Sequence, residues 1–235
     1  MKERRVPDES GRKPQTALIP VRGRRISRSA ARSVAESLRS GGVAVFPTDT
    51  VYGIGSSVFW PQAIWRIYRL KGRSYDKPLP FLVADVDQAL ALVEPPGPRL
   101  RKMLDKYWPG PLTVVFKTST LGRWTTGGKE TLALRVPDHP VTLASLREMG
   151  QPLAVTSANR SGRPEAVTGA QARALFEGRV EVLVDGGLCP GGVPSTVIDV
   201  SSFGWTLVRE GAVKKKELLR YFVRNKLLPR LKDWA

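Results

Sequence analysis

Apolar residues recur along this chain in two rhythms, and the switches between them predict alternating strands and helices. Short apolar runs bounded by glycine, proline or polar residues read as buried strands at Val43–Phe46, Phe81–Val83, Leu112–Lys117, Thr131–Val136, Leu153–Thr156 and Val180–Val184. Two further short strands, Ser195–Val200 and Thr206–Arg209, read as a pair. Between these runs, apolar positions fall three and four apart. Ala30, Val34, Ala35 and Leu38 predict a helix over 29–40 that Gly41-Gly42 ends. Pro61, Pro98 and Pro140 each open a helix, running out near Lys71-Gly72-Arg73, Trp108 and Met149. Asp85 caps another to Val93, and helices over about 168–176 and 214–226 complete the series. Residues 1–28 scatter Pro7, Gly11, Pro14, Pro20 and Gly23 among charges without periodicity, which predicts a loosely attached extension. With no internal repeat, the expectation is one α/β domain over 29–213, a twisted mixed sheet with flanking helices, followed by a basic helix over 214–235.

The first strand delivers a change of character. Val43–Phe46 is followed by Pro47, then Thr48, Asp49 and Thr50, then Val51-Tyr52 and the pair Gly53 and Gly55. Hydroxyls and glycines at a strand's carboxyl end can present a polar site there. The same residues also make an ordinary turn, with the glycines as tight turning points.

Composition narrows the classes. The single cysteine, Cys189, excludes a disulfide framework and a cysteine-based zinc site. The N-terminus has no hydrophobic signal core and no apolar run reaches membrane-spanning length, so a cytoplasmic protein with no membrane partner is expected. The net charge of +17 is concentrated at the ends: residues 1–32 carry ten Lys/Arg against three acids, and residues 214–235 carry eight against two. Such ends suit RNA phosphates, or are solvated tails; charge alone does not separate the two.

Several chemistries drop out. The single histidine, His139, lies in a helix-entry turn with no nucleophile elbow around it. Gly122–Lys129 (GRWTTGGK) approaches a P-loop, but the lysine comes one place late and Glu130 replaces the Ser/Thr. What remains is a set of cations, hydroxyls and glycines at element ends: Lys71 and Arg73, Ser157 and Asn159, Ser195 after Gly191-Gly192, Arg135 and Arg209. The backbone N–H groups of the 190–194 loop could line an anion pocket. Each cluster has a bland reading as a cap, turn or hairpin; together they suit a polyanion plus a small zwitterion.

The runs FPTDTVYGIG, KGR (71–73), WPGPLT (108–113), LALRVPDHP (132–140), TSANRSG (156–162), PGGVPSTVID (190–199) and LVREG (207–211) resemble the YrdC/Sua5 family of threonylcarbamoyl-AMP synthases, in the family's order and over residues 30–213. The resemblance implies a fold with a large, positively charged concave cavity. It implies synthesis of L-threonylcarbamoyladenylate and pyrophosphate from ATP, L-threonine and bicarbonate, the first step of t6A modification of tRNA. It assigns Lys71, Arg73, Thr113, Ser157, Asn159, Ser195 and Arg209 to ATP, with Lys71 and Arg73 as the catalytic pair. Thr48, Tyr52, Arg135 and Thr156 fall to threonine. Mg²⁺ would come with ATP rather than on a protein ligand set, and tRNA and the t6A transfer machinery would be partners. The short chain resembles the YrdC type, without the second domain of longer members. A YciO-like relative without adenylate synthesis is the alternative, which the intact Lys-x-Arg and Ser-x-Asn pairs oppose. A plain RNA-binding module and the carbamoyltransferase segment of a hydrogenase-maturation protein are more distant rivals.

Overall fold

The computed structural model describes residues 14–226, apart from 22 and 24. Ten strands form one sheet: β1 (Ala17–Pro20), β2 (Ala44–Phe46), β3 (Gly53–Ser57), β4 (Phe81–Leu82), β5 (Leu112–Lys117), β6 (Thr131–Arg135), β7 (Leu153–Ser157), β8 (Val182–Asp185), β9 (Thr196–Asp199) and β10 (Thr206–Arg209). Their order is β1-β8-β2-β3-β7-β4-β6-β5-β9-β10. Parallel pairs (β1/β8, β2/β8, β4/β6, β5/β9) mix with antiparallel ones (β2/β3, β3/β7, β4/β7, β5/β6, β9/β10). Among the described residues there are eight helices: α1 (Arg28–Arg39), α2 (Pro61–Lys71), α3 (Val86–Ala91), α4 (Pro98–Tyr107), α5 (Thr120–Thr125), α6 (Pro140–Met149), α7 (Gly169–Phe176) and α8 (Lys215–Arg224).

Local chemistry sets the helix ends. Ser27 and Asp85 accept from the backbone N–H groups of Ala30 and Gln88, at 3.2 and 2.8 Å. Thr168 and Gln171 make a reciprocal capping box, and proline stands at the first turn of α2, α4 and α6. Helices cover both faces of the sheet. On one face Val34 and Leu38 of α1 and Val141, Leu146 and Met149 of α6 pack on Ala44, Phe46, Leu153 and Val155. On the other, α2, α4, α7 and α8 pack on Val43, Val45, Ile54, Val114 and Leu134. Alternate residues of the first apolar run thus enter opposite cores, and a continuous apolar run is what a strand covered on both faces requires.

Three expectations change. Ala17–Pro20, placed in a loose extension, is a strand paired parallel to β8, and the Thr16 hydroxyl donates to Val180 O at 2.6 Å. An edge strand is held by backbone bonds and needs little apolar pattern; the remainder of that extension, residues 1–13, lies outside the described residues. Gly53 and Gly55 are not turning points but members of β3, central in the sheet. A Cβ at Gly55 would stand 2.6 Å from Val155 Cγ2 and 2.9 Å from Ala154 O, so glycine is what the tight strand contact demands. The near-P-loop is the end of α5, a helix the sequence pattern did not show.

Candidate active site

Three clusters of the expected residues form at element ends. The first is built on α2. Its last residue, Lys71, is 3 % exposed and its ammonium meets Ser157 O at 2.5 Å, Asn159 O at 2.9 Å and Asn159 Oδ1 at 2.5 Å. Asn159 is fixed in turn: Ser157 Oγ donates to its Oδ1 at 2.9 Å, and its Nδ2 donates to Arg163 O at 2.5 Å. The Lys-x-Arg and Ser-x-Asn motifs are therefore one hydrogen-bonded unit. Burial, with Arg73 adding, pushes the Lys71 amine down from its ordinary 10.5 to about 8, and Glu165 opposes the change. Arg73 lies beyond Gly72, half-buried, donating to Lys77 O at 3.1 Å and Pro78 O at 3.2 Å.

The second cluster fills the turn after β2. Thr48 Oγ1 donates to Val51 O at 2.6 Å and accepts from Thr50 N at 3.2 Å, closing the turn on itself. Arg135, at the end of β6, reaches into it with all three nitrogens bonded: Nε to Gly110 O (2.9 Å), Nη1 to Thr50 Oγ1 (3.0 Å) and Nη2 to Asp49 Oδ1 (2.6 Å). Asp49 Oδ1 also accepts from Asp138 N at 3.1 Å. Gly191 N and Gly192 N donate to Asp49 O and Thr50 O, at 3.0 and 2.8 Å. The glycine loop thus spends those N–H groups on the turn rather than lining an anion pocket with them, which corrects the expectation for it.

The third cluster joins three strands. Thr113 and Ser195 hydroxyls meet at 2.8 Å, and Arg209 Nη2 donates to Ser195 O at 2.8 Å and Oγ at 3.3 Å. Burial lowers the Arg209 guanidinium below its ordinary value; Glu165 opposes this, while Arg135 and Arg73 reinforce it. Arg209 thus feels the charges of Arg135 and Arg73, and Lys71 shares Arg73 and Glu165 with it. Lys71, Arg73, Arg135 and Arg209 outnumber the acids beside them, Glu165 and the Arg135-paired Asp49, and this excess of positive charge favours an anionic ligand.

Two further expected residues, Tyr52 and Thr156, lie on or beside the central strands. Tyr52 is fully buried, its hydroxyl accepting from Gly186 N at 3.0 Å and donating to Gly187 O at 2.9 Å; burial raises its pKa. It pins β3 to the exit of β8 and has no surface for threonine. Thr156 sits within β7 opposite Ile54, half-buried. Asp49 and Glu165 are the residues the motif reading missed. Asp49 stood inside a quoted run, but its partner Arg135 is 86 residues away in sequence. Cys189 is buried, and burial pushes its thiol up to about 11, so it is no nucleophile at neutral pH. His139 is buried at the N-cap of α6, in the helix-entry turn expected for it. No group of three or more His, Cys, Asp or Glu side chains among the described residues is placed to hold a metal. No helix among them is long and apolar enough to cross a membrane.

The geometry has known counterparts. Residues 36–211 match the Sua5/YciO/YrdC family, described as "Telomere recombination". The threonylcarbamoyl-AMP synthase of Bacillus subtilis is 38 % identical over 183 residues, covering 77 % of this chain and 53 % of its own length. That of Pyrococcus abyssi is 36 % identical over 204 residues, covering 86 % of this chain and 60 % of its own. The chain therefore spans between half and two thirds of these relatives. Among solved structures, P. abyssi Sua5 complexed with L-threonine superposes with a TM-score of 0.82 at 35 % identity, over 88 % of this chain and 61 % of that one. Escherichia coli YciO shares the fold, with a TM-score of 0.77 at 24 % identity over 86 % of this chain and 98 % of that one. On these grounds the chain belongs to the Sua5/YciO/YrdC family.

Proposed function

We propose that this chain is an L-threonylcarbamoyladenylate synthase, condensing L-threonine, bicarbonate and ATP into threonylcarbamoyl-AMP and pyrophosphate. The observation that carries the reading is the wiring of Lys71 through Ser157 and Asn159, beside Arg73. Threonine and bicarbonate give N-carboxythreonine with loss of water. Its carboxylate oxygen attacks the α-phosphorus, a new P–O bond forms, the α–β bridge breaks, and pyrophosphate leaves with that electron pair. No enzyme nucleophile enters, so the protein's task is to position reactants and stabilise charge.

The residues divide by what they have left to offer. Arg73 binds two backbone carbonyls and the Tyr68 hydroxyl and retains donors for phosphate, and Arg209 with Ser195 and Thr113 forms a hydroxyl-lined cationic edge beside it. Lys71 contributes charge from a fixed position. Arg135 and Asp49 hold the Thr48–Thr50 turn, where the Thr48 and Thr50 hydroxyls meet the amino-acid substrate, and Thr156 lies on the neighbouring strand. Mg²⁺ arrives as MgATP, carried by the phosphates; the nearby carboxylate is Glu165. The product would pass to tRNA through the t6A transfer machinery, in the cytoplasm.

The test is mass-spectrometric. With ATP, L-threonine and ¹³C-bicarbonate, the purified protein should form an adenylate bearing one ¹³C and one equivalent of pyrophosphate, and neither when threonine or bicarbonate is omitted. Pyrophosphate release indifferent to threonine would refute the reading.

A further inference from the structure

The Ser74–Leu79 loop has a second side. The carbonyls of Lys77 and Pro78 hold Arg73, while Tyr75, Pro78 and Leu79 line a cleft of about 500 Å³ that Arg73 does not enter. Its floor is aliphatic and aromatic: Ile64 from α2, Leu79, Phe81, Leu132 and Ala154. At the mouth, Trp65 and Tyr75 stand edge to face at 4.7 Å, 51 % and 54 % exposed. Across it Thr125, Thr126 and Lys129 form the other wall, and the adjoining Trp124 (70 % exposed) leans on Phe59 (43 % exposed) at 5.8 Å. Two large rings left in water at one opening, with a second exposed pair next to its wall, are unusual for a surface with nothing to bind.

Charge and hydrogen bonding select the occupant. Lys129 lines the cleft and Arg69 follows Trp65 by one helical turn; both are exposed, and neither is in an ion pair among the described residues. Asp76 is the one acid in the lining. Lys129 and Asp76 balance within the lining, and Arg69 and the exposed Lys77 beside it leave the mouth net cationic, which suits a partner carrying negative charge. An unpaired RNA base would satisfy that, but the acceptor atoms of its edge would find three of the lining hydroxyl protons already committed. Tyr68 Oη donates to Lys77 O at 2.9 Å, Thr125 Oγ1 to Leu121 O at 2.8 Å and Thr126 Oγ1 to Gly122 O at 2.9 Å. Burying the edge without replacing its water bonds is unfavourable, whereas a bulky apolar side chain loses nothing there. We infer that this cleft is a docking site for an acidic segment of a partner protein, which inserts one bulky apolar side chain between Trp65 and Lys129. The site stands apart from the adenylate chemistry, and its test does not depend on that reading.

The experiment is a selection of random displayed peptides on the full chain, with the winners measured by fluorescence polarisation. Enriched peptides should carry Asp or Glu flanking Trp, Phe or Leu. Trp65→Ala, a change at an exposed position, should weaken them about tenfold or more, as loss of an interface aromatic does. Lys129→Glu should weaken them comparably and flatten the salt dependence, and both variants should keep the wild-type melting temperature. Enrichment of basic or purely polar peptides, no enrichment, or winners indifferent to Trp65→Ala would each overturn the inference. So would single-stranded oligoadenylate binding that Trp65→Ala alone abolishes, which assigns the cleft to RNA. A concentration-dependent dimer in light scattering that Trp65→Ala abolishes would assign it to a second copy.

Discussion

Lys71 and Arg73 are two residues apart, and the fold uses them differently. Lys71 closes α2 from inside: almost wholly buried, its ammonium has three oxygen acceptors supplied by the 157–159 turn. Arg73 is half-buried and holds the two carbonyls of its own loop, at 3.1 and 3.2 Å, and the Tyr68 hydroxyl. A cation with three acceptors ties two motifs together and lends its field. A cation with donors to spare can follow a ligand. The pair thus divides into a brace and a hand, although the sequence shows only Lys-x-Arg.

The largest effect expected is at Lys71. Lys71→Ala removes the tie between the motifs, leaves the carbonyls of Ser157 and Asn159 short of a donor, and removes a cation from the locus. Activity should fall by about three orders of magnitude or more, combining lost preorganised charge with a displaced Asn159. Stability should fall too, by about 1–3 kcal/mol for the orphaned acceptors, a drop of roughly 2–4 °C per kcal/mol for a domain of this size. A thermal melt beside a pyrophosphate assay reads both; lost activity at an unchanged melting temperature would refute the brace.

Arg73→Ala should separate the two quantities. Turnover should drop by about 10²–10³, the range for losing one preorganised donor, while the melting temperature stays within about 2 °C of wild type, because the lost bonds, to two exposed carbonyls and the Tyr68 hydroxyl, lie in a solvated loop. The double variant should be little worse than Lys71→Ala alone, since members of one catalytic unit do not add. A large stability loss in Arg73→Ala would make the two residues alike after all.

The relation between motifs was the part the sequence could not show. Helices opening at Pro61, Pro98 and Pro140 and the strand Leu112–Lys117 were legible because proline chemistry and apolar period act locally. β3 was not: two glycines read as a turn until Val155 supplies the crowding that requires them. β1 was not, because an edge strand is defined by its neighbour's open backbone. Within the site, residue types and motif order were readable, but each motif's partner was not. Lys71 meets Ser157 86 residues later, and the glycine loop turns out to hang on Asp49 and Thr50. Tyr52 sits in the middle of a motif and still serves the core.

A pH titration sharpens the comparison further, with a smaller effect. Lys71 in the folded protein has its pKa pushed down to about 8 from the ordinary 10.5. The unfolded chain therefore binds more protons between those values, and this group's contribution to stability rises as pH increases from about 8 to 10.5. If the ammonium is what serves catalysis, activity moves the other way, falling as pH passes 8. Activity and melting temperature should diverge across that window in the wild type. In Lys71→Arg, which stays charged throughout, the remaining activity should be flat there. Parallel curves for the two quantities would show that the titrating group is another.

The smallest effect concerns the residue between them. Gly72 ends α2 at φ 61°, ψ 39°, the left-handed region where a side chain is strained. A Cβ built there meets nothing within 4 Å. Gly72→Ala should therefore cost only the backbone term, about 1 kcal/mol, and Gly72→Asn less, because asparagine tolerates that conformation. The two cations should respond unequally. Lys71 precedes the strained residue and is locked by its three acceptors; Arg73 follows it on a loop held by two longer bonds. A modest strain should relax into the loop, moving Arg73 and sparing Lys71. The expected signature in Gly72→Ala is a KM for ATP raised a few-fold with a small drop in melting temperature, and with the Lys71-dependent fall of activity above pH 8 unchanged. If that fall moves along the pH axis instead, the strain has reached the buried brace, and Lys71 is less firmly held than its three bonds imply.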